Sequence, residues 1–423
     1  LLPTLARDRA PYGSLVNVVG ASLEREVVFV KRLSLVFVGI LSFWGLARMP
    51  LVQNVVLECI RPTYVIAGDF NADGWEDIAL ACHSCNTIPV LLNPGSKVCP
   101  APCPVSWPAP KVFTLADAPV ALAWGLVFDR AKDAYEIRIF TATQYTPAWT
   151  SFKVADPVSL KLVSLPAVTA THIALADFNG DGILDLAVLD SLGLKILFPT
   201  AKIDSIDLSP YAQICNVAFL TSGDFDRDGD VDIVVASNNS LLFFENECLG
   251  KFKHKTSLVL GHMLRAIAVA DFDDDGKEDL ATVDPAFSAL TYVHNDGCWK
   301  FSIAQRIKLD GEPVAIVAGD FNRDTRMDLA VAEYGADRVT ILANLGGKFG
   351  VDRQIKVGKN PISLAVGDFD RNGILDLAVA LFGGGPAGTG PALQVIYNPM
   401  CTTDDCTKKA PCCEPGAPVP PCP

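Results

Sequence analysis

The chain has 423 residues, half of them hydrophobic, so it carries enough apolar side chain to fill a large core. Its formal net charge is −13 and its pI lies near 4.8, with no long run of Lys or Arg, which excludes nucleic acid as an expected partner. Thirteen cysteines, four between Cys82 and Cys103 and five after Met400, point to disulfides and an oxidising compartment.

In chain order, residues 1–29 are read as lying outside the natural protein, with Val30 as an alternative start. From Val30 the text "VKRLSLVFVGILSFWGLAR" sets two cations before an apolar run of about 14 residues and a small-residue exit at Ala47. That is the layout of a secretory signal peptide over 30–47, and the run is short of the roughly 20 residues that span a bilayer. The mature chain is therefore expected to be secreted or held at the cell surface, without a membrane span.

From residue 50 to 400 one line recurs. It reads "GDFNADGWEDIAL" from Gly68, "ADFNGDGILDLAV" from Ala176, "GDFDRDGDVDIVV" from Gly223, "ADFDDDGKEDLAT" from Ala270, "GDFNRDTRMDLAV" from Gly319 and "GDFDRNGILDLAV" from Gly367. The last five copies are 47–49 residues apart, and the gap after the first is about twice that. A worn unit, Ala118 to Ala142, fills the gap; it keeps the apolar runs and loses the acidic residues, which makes seven units. Each unit reads as about four short strands joined by Gly, Asn and Asp turns, and four-stranded units at this period are propeller blades. The expected fold is all-β, a seven-bladed β-propeller over 50–400. Its last unit is one strand short, and "PLVQNVVLEC", Pro50 to Cys59, is predicted to complete that blade and close the ring.

Within each acidic line, oxygen-bearing side chains fall at the first, third, fifth and ninth positions, usually with Gly at the sixth. Alternate positions of a tight loop point the same way, and Ca²⁺ takes six to eight oxygen ligands, so the pattern predicts cation sites. The candidate ligands are Asp69, Asn71, Asp73 and Asp77; Asp177, Asn179, Asp181 and Asp185; Asp224, Asp226, Asp228 and Asp232. The series continues with Asp271, Asp273, Asp275 and Asp279; Asp320, Asn322, Asp324 and Asp328; Asp368, Asp370, Asn372 and Asp376. About five to six Ca²⁺ are expected per chain, and the copy with Thr325 for Gly and with Arg323 and Arg326 in the loop is expected to bind weakest.

The line "DFDRDGDVD" followed by "IVVA", in seven units of about 48 residues, resembles the FG-GAP/VCBS repeat family. The resemblance implies a seven-bladed propeller with Ca²⁺ in the blade loops, as in integrin α-subunits and many bacterial exported proteins. It covers Pro50 to Met400 and says little about function, because the family includes adhesion modules, lectins and propellers attached to enzymes. Unit two has lost its loop, and the D-x-S-x-S adhesion motif is missing.

Cys82, Cys85, Cys99 and Cys103 have nearly the spacing of a zinc ribbon, but a strand of about 20 Å separates the pairs. Local disulfides Cys82–Cys85 and Cys99–Cys103 are expected instead, with Cys248–Cys298 across neighbouring blades and Cys59–Cys401 locking the seam. Residues 401–423 form a Cys- and Pro-rich tail. Tyr145, Trp149, Phe287 and Tyr334 fall in loops of the face opposite the acidic lines and are the candidate ligand contacts. The function read from all this is a binding or adhesion module for an extracellular protein or carbohydrate. The alternative is a polysaccharide lyase or hydrolase on a propeller scaffold, for which no catalytic motif appears in the sequence.

Overall fold

The computed structural model describes residues 50–398 apart from 56, 60, 96–104, 130–133, 144–147, 153–160, 165–169, 191–192, 199–202, 208–216, 238, 262 and 384–390. Residues 1–47, with the expected signal peptide, the tail 401–423, Cys99, Cys103, Cys401 and Tyr145 therefore lie outside the described residues.

The described strands form seven four-stranded antiparallel sheets, and no α-helix occurs among the described residues. The architecture is an all-β propeller. Sheet one comprises Pro62–Gly68, Asp77–Cys82, Thr87–Leu91 and Lys111–Thr114, in that order from the axis outward. Sheets two to six follow over 119–164, 170–207, 217–259, 266–308 and 313–356. Sheet seven takes Pro361–Gly367, Asp376–Leu381 and Leu393–Tyr397 from the C-terminal side and Leu51–Val55 from the N-terminal side. That N-terminal strand pairs in register from Leu51↔Tyr397 to Val55↔Leu393, as the incomplete last unit predicted.

Burial follows the position of each strand in its sheet. Second strands such as Asp77–Cys82 and Asp328–Glu333 are buried along their whole length, because each sheet is covered on both faces by its neighbours. Outer strands are half-exposed: Phe252–Val259 exposes every other side chain, Lys300–Lys308 does so apart from the exposed run Ser302–Ala304, and their lysines guard the free edge. Seven apolar clusters fill the gaps between neighbouring sheets. One joins Phe225, Val234 and Phe243 of sheet four to Ile267, Leu280 and Val293 of sheet five. Another joins Val65, Ile78 and Leu80 of sheet one to Ala365, Phe369 and Val395 of sheet seven, so the ring is continuous from the last sheet to the first.

The seam is braced differently from the expectation. Cys59 pairs with Cys82, with their Cα atoms 5.6 Å apart, and neither Cys82–Cys85 nor Cys59–Cys401 forms. The reason is local. Cys59, on the link into sheet one, and Cys82, at the end of a second strand, are both buried. The 3₁₀ turn His83–Cys85 carries Cys85 away toward the carbonyl of Glu58, as a free thiol. Cys248 and Cys298 are likewise free and exposed, so the cross-sheet bridge is absent too. Across the seam itself, the buried Tyr397 hydroxyl accepts from Val105 N–H at 3.1 Å and from the Trp107 indole N–H at 3.2 Å, while Gln53 donates to Val105 O at 2.8 Å. A segment of sheet one thus straps the closing pair of strands.

Cys59→Ser should destabilise the protein by about 2–4 kcal/mol in a denaturant titration, the usual cost of losing a native bridge. Cys85→Ser should leave the midpoint unchanged; the reverse pattern would mean that Cys85 holds the bond.

Candidate metal centre

Six of the seven sheets carry the acidic line between their first and second strands, on one rim of the ring; sheet two replaces it with the long hairpin Pro119–Asp129 and Ala134–Thr143. The six loops are folded alike. The first-position aspartate accepts from the backbone N–H of the sixth residue: Gly74 to Asp69 at 2.7 Å, Gly182 to Asp177 at 2.7 Å, Gly229 to Asp224 at 3.1 Å, and Gly276 to Asp271 at 2.7 Å. Thr325 to Asp320 at 2.9 Å and Gly373 to Asp368 at 2.7 Å complete the set. This wraps the loop around its own carboxylates and demands left-handed backbone. The sixth residue has φ between 71° and 90° in Gly182, Gly229, Gly276, Gly373 and also Thr325, whose Cβ makes that conformation costly.

The ninth-position aspartate opens the second strand and is buried in all six copies. One of its oxygens accepts from the N–H of the loop phenylalanine, as in Phe70 to Asp77, Phe178 to Asp185 and Phe225 to Asp232, each at 3.0 Å. In five copies the other oxygen accepts from the N–H of an asparagine at the end of the third strand: Asn93 at 2.7 Å, Asn246 at 2.8 Å, Asn295 at 2.7 Å, Asn344 at 2.8 Å and Asn398 at 2.7 Å. Each of those asparagines then reaches the preceding sheet. Its amide donates to the loop phenylalanine carbonyl there: Asn93 to Phe369, Asn246 to Phe178, Asn295 to Phe225, Asn344 to Phe272 and Asn398 to Phe321, all at 2.6–2.9 Å. These asparagines were missed in the sequence because they stand one strand away from the acidic line. Their signal was present, an Asn 14 to 22 residues after five of the six ninth-position aspartates. Sheet three has Phe198 at the end of its third strand instead.

Three of the loops gather three carboxylates with ligand atoms within 4.8 Å of one another: Asp224, Asp226 and Asp232; Asp271, Asp273 and Asp275; Asp368, Asp370 and Asp376. Burial, with the neighbouring carboxylates adding to it, pushes the ninth-position carboxyls up, to about 7 for Asp77, about 8 for Asp185 and Asp232 and about 6 for Asp328. Asp376 is raised well above the usual carboxylate range for the same reasons. Like charges held this close and this deep need a cation or protons. The donor set is all oxygen, so the residues present fit a hard divalent ion.

The arginines divide between two tasks. Arg326 turns onto Asp324 of its own loop, as the expectation of a weak site requires. Arg323 does not enter its own loop: it donates to the carbonyls of Asn372 at 2.7 Å and Gly373 at 2.9 Å in the next loop of the ring. Arg371 similarly lies over the Trp75 ring of sheet one, 4.0 Å from its centroid.

On the opposite rim, Phe287 is 53% exposed in the turn before Ala289. Tyr334, in the 3₁₀ turn Tyr334–Ala336, packs near Phe382 of the next sheet at 6.4 Å between centroids, and Arg61 stands over Phe382 at 5.6 Å. Trp149 lies within the strand Ala148–Phe152 rather than in a loop. Tyr334 thus joins a mixed aromatic and cationic patch.

Sheets, loops and clamps together define a β-propeller whose inner-strand loops form a repeated acidic ring. Over 224–282, 271–331 and 320–379 the chain carries the FG-GAP-like repeat in three consecutive copies. Among solved structures, BBS1N in complex with ARL6DN is similar, with a TM-score of 0.59 at 14% identity over 83% of this chain and 96% of that one. Virginiamycin B lyase from Staphylococcus aureus is similar with a TM-score of 0.54 at 11% identity, over 82% of this chain and 98% of that one. At these identities the likeness is one of fold. No curated protein sequence matches the chain.

Two outcomes are expected. Asn344→Ala strands the buried Phe272 carbonyl and should cost about 2–3 kcal/mol in denaturant, whereas Asn239, half-buried in a turn, should tolerate Ala. The ninth-position carboxyls are raised from 3.8 to between about 6 and 8, so the folded state binds more protons than the unfolded one in that window. Their contribution is complete below about pH 4 and lost as pH rises through about 8, so in chelator the melting temperature should fall from pH 5 to pH 8. A divalent cation should remove that fall.

Proposed function

We propose that the chain is a calcium-stabilised propeller acting outside the cell as a binding or adhesion module for a protein or glycan. The observation that carries this reading is the repetition of one loop geometry on six sheets, with every first-position aspartate held by the backbone N–H of the sixth residue. Ca²⁺ is the ion of choice for such a site, because it accepts six to eight oxygens in flexible geometry and is plentiful outside cells. The Cys59–Cys82 bridge is in keeping with an oxidising compartment.

With one rim committed to cation loops, recognition falls to the other. There the strand-connecting turns differ from sheet to sheet, and Phe287, Tyr334, Phe382 and Arg61 supply ring faces and a cation. The similar propeller BBS1N is described in complex with ARL6DN, which makes a protein the first class of partner to test. Glycans remain the second, since exposed rings also stack on sugars.

Thermal melting with and without EDTA tests the calcium half of the reading. EDTA should lower the melting temperature by several degrees, and Ca²⁺ should restore it where Mg²⁺ does not. A curve indifferent to EDTA would sink the calcium reading. A glycan array and a purified-protein binding screen in Ca²⁺, run beside a polysaccharide-degradation assay, test the rest. Binding that weakens in Phe287→Ala or Tyr334→Ala at unchanged melting temperature supports the module. Degradation abolished by substitution of a rim carboxylate supports the lyase or hydrolase instead.

A further inference from the structure

The acidic loop of sheet five has a neighbour that the others lack. One residue before the clamp asparagine stands Leu92, Glu245, Ala343 or Tyr397 in sheets one, four, six and seven, but His294 in sheet five. Its Nδ1 lies 3.3 Å from Asp273 Oδ2 and 3.2 Å from Asp279 Oδ1, and a ligand atom from each of the three residues falls within 4.8 Å of the others. That nitrogen is shielded from solvent yet hydrogen-bonded to neither carboxylate. An edge of about 3.3 Å is the ligand-to-ligand separation of a tetrahedral site with bonds of about 2.0 Å.

The surroundings match those of an imidazole ligand. The other ring nitrogen, Nε2, faces Asp296 Oδ1 at 3.6 Å, the side from which an outer carboxylate orients a metal-bound histidine. Asp279 is itself oriented: its Oδ2 accepts from the Tyr292 hydroxyl at 2.9 Å and its Oδ1 from Asn295 N–H at 2.7 Å. Meanwhile Lys277 pairs with Asp275, which takes a carboxylate of the same loop out of an all-oxygen set. A nitrogen gained and an oxygen occupied both move this site away from Ca²⁺ and toward ions that accept imidazole.

We propose that Asp273, Asp279 and His294 bind a transition-metal ion of the Zn²⁺ class, with solvent completing the coordination. The inference rests on the reading of the acidic loops as cation sites for two of its three ligands, and departs from it in the identity of the ion. The test uses the full chain, stripped of metal and returned to excess Ca²⁺, then titrated with Co²⁺ under visible absorption and with Zn²⁺ in competition. One Co²⁺ per chain is expected, with the intense spectrum of a low-coordinate site, displaced by Zn²⁺ and not by Ca²⁺. His294→Ala and the more conservative His294→Gln should weaken Co²⁺ binding by more than about tenfold, while both keep the Ca²⁺-dependent rise in melting temperature. Wild-type protein that takes up no stoichiometric Co²⁺ in excess Ca²⁺ overturns the proposal whatever the variants do, as does uptake that survives both substitutions. Loss of the Ca²⁺-dependent melting shift in wild-type protein would instead count against the acidic loops as calcium sites.

Discussion

The buried ninth-position aspartate is the group on which the rest of the molecule turns. Asp77, Asp185, Asp232, Asp279, Asp328 and Asp376 are each at most 1% exposed. An ionised carboxylate in such a place costs several kcal/mol unless its charge is met. Backbone N–H donors from the loop phenylalanine and the third strand meet part of it, which fixes three strands of one sheet to one carboxylate. The clamp asparagine carries the same node to the preceding sheet. Loop, sheet and ring are therefore coupled through one side chain, and a cation bound by the loop acts on the whole ring.

That coupling makes sense of where the pattern lapses. Sheet two has no acidic line and closes its inner strands with a long hairpin instead. Sheet three keeps the loop but has Phe198 where the clamp would stand, and that ring packs into the cluster between sheets three and four. The first and last described strands meet in sheet seven, where a hydrogen-bonded strap to Tyr397 and a nearby disulfide take up the load. Arg323 and Arg371 run from one acidic loop to the next across that same region, tying loops together where Coulomb repulsion would separate them.

The repeat, the strand count per unit, the closing strand and the alternating acidic positions of the loops were all legible in the sequence. They are written in a local code: a period near 48 residues, Gly at a left-handed turn, and oxygens at alternate positions. What was not legible depends on neighbours in space. The asparagine clamp joins residues about 70 positions apart, such as Asn295 and Phe225, and no window along the chain contains both. The disulfide was misassigned for a similar reason. Cys82 and Cys85 look adjacent in sequence, but a 3₁₀ turn separates them, while Cys59 folds back beneath the sheet. Arg323 was placed in its own loop by sequence position, and the ring instead hands it to the next. His294 lay outside every motif, because its significance comes only from the strand that sets it beside Asp273 and Asp279.

Equilibrium dialysis of the metal-free chain against Ca²⁺, with the bound ion counted directly, addresses the central claim that the repeated carboxylates are kept for cations. Six loops with one weak member and one that prefers nitrogen ligands predict about four to five Ca²⁺ per chain. Substituting Asn for Asp232 should remove one of them without emptying the others. A chain that retains its fold and binds no Ca²⁺ at millimolar concentration would contradict the claim, and would leave the acidic ring as a set of protonated, hydrogen-bonded turns.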